Sequence, residues 1–331
     1  MSKNVVLSLV AALLFILGLV VMILVTPGVA ENPPETTVLT TEPETTEPET
    51  TEPETTEPPT DPADTTPPEA LELTASKAFV YDCSKNILLY AGGDREEQAS
   101  PASLTKLMTA LVALDCLKED AVITVGEEIT WIDPESSIAA LQTGNRLTVR
   151  MLVQGLLMQS GNDAAYTLAV AGGRAIAGEP ELDRKQALGV FVDAMNKKCR
   201  DMALVNTHFM NPDGIDEEGH YSCVSDLIAI SLLAMENETI MKYCGMASDY
   251  VVFESGEDYV WKNSNYLLHE DLSFYTPEVI GLKTGSTANA GKCLISAFRQ
   301  ENGRVLLIGV LGSTGDGERY TDTLALYDLY K

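Results

Sequence analysis

Residues 31–70 repeat Thr-Glu-Pro-Glu-Thr with a period of five, as in 41–45, 46–50 and 51–55, and this stretch decides where a folded domain can lie. It offers almost nothing to bury, its prolines remove backbone donors, and its carboxylates repel one another. From Glu31 to Glu69 there are twelve acidic residues and no basic one, so much of the net charge of -27 sits here. The expectation is a disordered stalk; at about 3.1 Å per residue in polyproline geometry, forty residues reach up to roughly 120 Å.

Before the stalk, residues 5–25 form an apolar run of 21 residues without a charged side chain, preceded by Lys3. That length spans a bilayer and places the remainder of the chain outside. The expectation is a retained single-segment membrane anchor; the alternative is a signal peptide cleaved after Ala30, where Gly28-Val29-Ala30 offers small residues. The chain then divides into 1–30 (anchor or signal peptide), 31–70 (Thr/Glu/Pro stalk) and 71–331 (one folded domain). That last part is still acidic, which argues against a nucleic-acid partner.

The folded part reads as α+β. Residues 78–81 and 87–90 flank Cys-Ser-Lys-Asn, and 293–298 and 305–311 flank Asn302-Gly303, two hairpin signals at opposite ends. Between them lie helical patterns: Leu104, Leu107, Met108 and Leu111, then 151–158, then 227–235. The expected architecture is an antiparallel sheet built from both ends of the domain, helices packed on it, and an inserted helical block.

Three short motifs carry chemistry. Ser100-Pro101 reads as a helix start, with Ser100 as cap and Pro101 in the first helical position. Ser103 and Lys106 then share one face of the opening turns. A serine hydroxyl needs a nearby base, and lysine serves when desolvation or positive charge holds it neutral. Ser160-Gly161-Asn162 joins two apolar helical stretches and is also explained as a helix-to-helix turn with Asn162 or Asp163 as cap. Lys283-Thr284-Gly285 closes a strand-like run over 279–282, which is otherwise an ordinary strand end entering a turn.

In this order, Ser-x-x-Lys, Ser-x-Asn and Lys-Thr-Gly resemble the penicillin-recognising serine enzymes. The surrounding residues 103–110, 160–165, 206–209 and 281–285 are similar to low-molecular-mass D-alanyl-D-alanine carboxypeptidases. The resemblance covers residues from about 71 to the carboxyl end and implies a β-lactamase/transpeptidase-like fold. It implies a serine-type D-Ala-D-Ala carboxypeptidase acting through an acyl-enzyme on peptidoglycan stem peptides, with β-lactams as covalent inhibitors and no cofactor. Ser103 would be the nucleophile, Lys106 its base, and Ser160 a proton relay. Asn162 would orient Lys106 and hold substrate backbone, Lys283 would keep the site electropositive, and Thr284 would help bind the terminal carboxylate. Gly285 would let the substrate approach, and the backbone N–H groups of Ser103 and Ser286 would form the oxyanion hole. An endopeptidase or β-lactamase on the same residues, or a catalytically silent peptidoglycan-binding scaffold, are the alternatives.

Better-known members continue into a β-rich domain and an amphipathic carboxyl-terminal helix, whereas this sequence ends at Lys331, which directs the expected tether to 5–25. No residue aligns securely with the deacylating glutamate of class A β-lactamases, although Glu127, Glu128 and Glu135 lie in the intervening region. Six cysteines without a C-x-x-C pair are read as buried small hydrophobes, disulfides being the alternative. His208, His220 and His269 have no metal-ligand spacing and are expected to be structural, so no metal is expected. Trp131 and Trp261 are read as core residues rather than a substrate groove.

Overall fold

Strands from opposite ends of the chain meet in one sheet within residues 71–331, the part that the computed structural model describes. The amino-terminal part supplies β1 (Lys77–Asp82) and β2 (Ile87–Gly92). The first helix α1 (Thr105–Cys116) precedes the short pair β3 (Val122–Thr124) and β4 (Arg146–Thr148). Then come α2 (Val149–Met158), α3 (Asn162–Ala177), α4 (Arg184–Asp201), α5 (Val224–Met235) and α6 (Glu238–Cys244). The hairpin β5 (Ser248–Val252) and β6 (Asp258–Lys262) leads into β7 (Val279–Thr287), β8 (Gly291–Arg299), β9 (Val305–Ser313) and the closing helix α7 (Glu318–Tyr330).

The main sheet has the order β2-β1-β9-β8-β7, all neighbours antiparallel. Its central strands are covered on both faces, so they read as continuous apolar runs rather than alternating ones. Alternation reappears in what each residue touches. Phe79, Cys293, Ile295, Ala297 and Leu307 face the helical block with Leu107, Leu152 and Leu156. Ala78, Val80, Leu294, Phe298 and Ile308 face α7 through Tyr320, Leu326 and Tyr327. Both hairpins foreseen from turn residues are present, and Gly303 has the positive φ of +85° that the second turn needs.

α2, α4 and α6 begin with side-chain caps, from Thr148, Asp183 and Asn237. The two helices that carry the site motifs have no side-chain cap. Ser100 does not cap a helix as expected: its hydroxyl donates to Asp216 at 2.7 Å. Pro101 instead precedes a 3-10 turn, Ala102–Leu104, from which α1 continues. Neither Asn162 nor Asp163 is the cap residue of α3, a position held by Gly161. β7 also runs past the expected end at residue 282, so Lys283-Thr284-Gly285 lies inside a strand rather than at its close. The strand continues because residues 284–287 form its edge-strand pairing with β8 through Thr287, where polar side chains are tolerated on the open side.

All six cysteines are free, four of them buried and two half-buried. Trp261 is buried and donates from Nε1 to the carbonyl of Ala139 at 3.0 Å, while Trp131 stands edge-on to Tyr166. The three histidines bond within the fold: His220 to Thr105 Oγ1, His269 to the Asn263 carbonyl, His208 to the Gly219 carbonyl.

Candidate active site

The 3-10 turn sets Ser103 at the mouth of a cleft of about 580 Å³, half-exposed between buried Ala102 and Leu104. Ala102 has φ of +48° and Ser160 has φ of +55°, a backbone region that costs a non-glycine residue on the order of 1–3 kcal/mol. Strain of this kind next to two hydroxyls in one cleft is held by packing. Gly214 packs so closely under the turn that an added Cβ would lie 1.9 Å from the carbonyl oxygen of Ala102. On the other side, a Cβ at Gly285 would sit 3.1 Å from Ala102 Cβ and 3.3 Å from Ser103 N. The glycine therefore lets the edge of β7 run directly beside the backbone of the nucleophile turn.

Lys106, one turn along, is fully buried, and its Nζ donates to Ser103 Oγ at 2.8 Å and to the carbonyl of Asp213 at 2.6 Å. Burial lowers its pKa to about 8, with Asp213 and Asp163 opposing the shift. Lys283 is also fully buried and donates to the Thr284 carbonyl at 3.0 Å. Burial, and then the neighbouring Lys106, hold its pKa well below the ordinary lysine range. Two desolvated amines so placed resist being charged together.

Ser103, Ser160, Asn162, Thr284, Gly285 and Ser286 all line this one cleft, while Lys106 and Lys283 are fully buried and reach two of its lining residues by hydrogen bonds to Ser103 and Thr284. Of the eight residues singled out in the sequence, the fold thus gathers every one. Asn162 donates from its backbone to the Ser137 carbonyl, and among the described residues the Nζ of Lys106 is held by Ser103 and Asp213 instead of by Asn162. Thr284 Oγ1 bonds to Ser264 Oγ at 2.6 Å, and Ser286 is exposed to the cleft.

Several residues that line or hold the cleft were given no site role in the sequence analysis. Asp213 acts through its carbonyl, 107 positions from Lys106. Asp163 accepts from the backbone of Ala139 and Leu141 and so fixes the loop behind cleft residues Ser136 and Ser137. Asp216 collects Ser100 Oγ, Thr287 Oγ1 and the Asn289 N–H, joining the nucleophile turn to the end of β7. Arg319, from α7, donates to the Gly285 carbonyl, pairs with Asp316 at 3.1 Å and presents the cleft with a guanidinium. Of the three glutamates in question, Glu135 lines the cleft, Glu127 is exposed elsewhere and Glu128 is buried in a separate cavity. The residues 206–209 are structural, with Thr207 Oγ1 donating to Asp226 at 2.7 Å.

The arrangement can lower the cost of forming an alkoxide at Ser103, since a buried amine touches the hydroxyl. The cleft also offers an anion the guanidinium of Arg319. Among the described residues no group of histidine, cysteine, aspartate and glutamate is arranged to hold a metal.

The D-alanyl-D-alanine carboxypeptidase family model matches residues 63–314. The D-alanyl-D-alanine carboxypeptidase DacF of Bacillus subtilis is 31% identical over 236 residues, 70% of this chain and 56% of that one. DacD of Escherichia coli is 33% identical over 258 residues, 74% of this chain and 60% of its own length. The chain therefore spans less than two thirds of these relatives. The crystal structure of the Streptomyces K15 DD-transpeptidase superposes with a TM-score of 0.70 at 31% identity, covering 78% of this chain and 97% of that one. The penicillin-binding protein D2 of Listeria monocytogenes, solved in its ampicillin-bound form, gives 0.63 at 25% identity, covering 78% and 98%. With a family match over most of its length and a shared α+β sheet, this chain belongs to the D-alanyl-D-alanine carboxypeptidase family.

Proposed function

We propose that this protein is a serine-type D-Ala-D-Ala carboxypeptidase that removes the terminal D-alanine from peptidoglycan stem pentapeptides through an acyl-enzyme on Ser103. The observation that carries this reading is the 2.8 Å contact between Ser103 Oγ and the fully buried amine of Lys106. Neutral Lys106 takes the hydroxyl proton as Oγ attacks the penultimate carbonyl. The backbone N–H groups of Ser103 and Ser286 receive the oxyanion. Ser160 passes the proton to the departing D-alanine amine as the peptide bond breaks, and water then releases the shortened peptide from Ser103. Thr284, with Lys283 behind it and Arg319 beside it, receives the substrate's free carboxylate. Asn162 holds substrate backbone at the opposite wall.

The acyl-enzyme can also be passed to an amine, a reading favoured by the structural likeness to a protein titled a DD-transpeptidase. Product analysis with a pentapeptide, with and without free glycine as acceptor, separates hydrolysis from transfer. The nucleophile is tested by mass spectrometry after exposure to penicillin. One covalent adduct is expected on the parent and none on Ser103→Ala, whose fold should survive because Ser103 is a small side chain facing the cleft. Persistent labelling of that variant would point to a different nucleophile.

The catalytic domain is proposed to work outside the membrane, tethered by residues 5–25 through the 31–70 stalk. Both segments lie outside the described residues, and among the described residues no helix is long and apolar enough to cross a membrane.

A further inference from the structure

Ser103 sits on the 3-10 turn Ala102–Leu104, while Thr284, Gly285 and Ser286 sit on the edge strand β7. In the proposed reaction the geometry of attack therefore depends on how far the turn stands from the end of the strand. Packing of Gly285 against Ala102 limits how near the two come. Such a contact sets no firm upper bound on their separation, since each carbon pair attracts by about 0.1–0.2 kcal/mol. Among the described residues, no backbone hydrogen bond joins 100–104 to 283–289.

The carboxylate of Asp216 supplies the missing bound. Its Oδ1 accepts from Ser100 Oγ and from Thr287 Oγ1, each at 2.7 Å, and its Oδ2 accepts from the Asn289 N–H at 2.9 Å. Ser100 stands three residues before Ser103, and Thr287 directly follows Ser286. One half-buried side chain thus holds both elements close to the reacting groups. An ionised carboxylate has no proton of its own and about four acceptor sites, so it takes all three donors without conflict. Burial alone would raise its pKa, but the Asn289 N–H and the hydroxyls of Ser100 and Thr287 outweigh that and hold it below the ordinary carboxylate value.

The loop that carries Asp216 is braced in turn. Asn211 accepts from the Gly214 N–H at 2.9 Å and donates to the Ile215 carbonyl at 3.1 Å and to Glu217 at 3.0 Å. Gly214 is seated under Ala102, and the Asp213 carbonyl holds Lys106. The loop is a fixed reference for the turn, the strand and the amine together.

We propose that Asp216 is a positioning residue that fixes the spacing between the turn bearing Ser103 and the end of β7. The inference rests on the reading of Ser103 as nucleophile and of Thr284 as the seat of the substrate carboxylate. Loosening the spacing leaves the substrate on β7 and misplaces the attacking oxygen, so turnover falls while binding holds.

The test is D-alanine release from a pentapeptide by the full chain, resolved into kcat and KM, with penicillin labelling rates beside it and circular dichroism as the fold control. Asp216→Ala should lose at least about thirtyfold in kcat, with KM unchanged within about threefold. Ser100→Ala and Thr287→Val each remove one hydroxyl arm; a loss of about threefold to tenfold is expected from either, and they cover the case in which the aspartate variant fails to fold. Adding Thr287→Val to Asp216→Ala should cost less than about twofold more, because that arm has already lost its anchor. Asp216→Asn keeps Oδ1 for both hydroxyls, gives up the Asn289 N–H, and should retain at least about a third of the parent kcat. Parent-like turnover in Asp216→Ala, losses confined to KM, additive losses in the double variant, or an asparagine variant as slow as the alanine one would overturn the proposal and leave the carboxypeptidase reading intact. A parent that neither releases D-alanine nor takes up penicillin would overturn both.

Discussion

At the scale of single residues, the two buried lysines pose the central chemical problem. Asp213 and Asp163 draw positive charge toward Lys106, while nothing but a cysteine opposes the desolvation of Lys283. In the free protein the proton therefore favours Lys106, which must lose it to act as base. A substrate carboxylate arriving at Thr284 would stabilise the charged form of Lys283, whose repulsion would in turn help neutralise Lys106. Acylation by a carboxylate-bearing peptide should thus rise with pH around 8 at low concentration, and at saturation the rise should move to lower pH. Stopped-flow acylation rates across pH give both curves; a saturating curve displaced upward would contradict the idea. Lys106→Arg should be nearly inactive, because a guanidinium keeps its proton. Lys283→Arg should keep part of the activity that Lys283→Ala loses, and D-alanine release across pH checks both. These lysines were legible because Ser-x-x-Lys and Lys-Thr-Gly are local words. The carbonyl of Asp213 and the carboxylate of Asp163 were not, since a main-chain acceptor has no side-chain signature and a buried aspartate looks like any other until its partners are folded around it.

At the scale of elements, the site depends on how near β7 comes to the turn that carries Ser103. Gly285 is the contact point, and a single Cβ there already meets Ala102 Cβ at 3.1 Å and Ser103 N at 3.3 Å. Gly285→Ala should be folded but slowed in acylation by about tenfold, as a small misplacement of reacting groups costs much in rate. Gly285→Val should be slower still. Penicillin labelling kinetics, with circular dichroism as the fold control, make the measurement; parent-like rates in both would show that the strand and turn move apart freely. The sequence revealed the two hairpins at the ends of the domain and the helices α1, α2, α3 and α5 through strong turn residues and apolar runs. It did not reveal α6, or α4, whose buried residues Ala187, Phe191, Met195 and Cys199 form one narrow stripe spaced by four on a segment that otherwise mixes charged residues with Leu188, Val190, Val192 and Ala194. It also cut β7 short, because the residues that face the cleft are polar and break the apolar run on which the strand was recognised. Function and legibility conflict at that point, since the chemistry requires the very residues that hide the strand.

At the scale of the whole molecule, chemistry and location are assigned to different parts of the chain. The cleft, both lysines and the residues that hold them all lie within 71–331, and both faces of the main sheet are buried there by α1–α6 on one side and α7 on the other. Every residue given a role in the proposed reaction lies among the described residues 71–331, and the family match begins at residue 63. A protein beginning at Leu71 should therefore react with penicillin at the rate of the full chain, within about twofold, and melt within a few degrees of it. The full chain should sediment with membranes while the shortened one stays in the supernatant, because 5–25 is the proposed tether and 31–70 the spacer. Amino-terminal sequencing of the full chain separates the two fates of the apolar segment: a mature protein starting at Glu31 would mean cleavage after Ala30 and defeat the tether. Slow labelling by the shortened protein would instead mean that the first seventy residues help build the cleft, and the division of labour proposed here would fail.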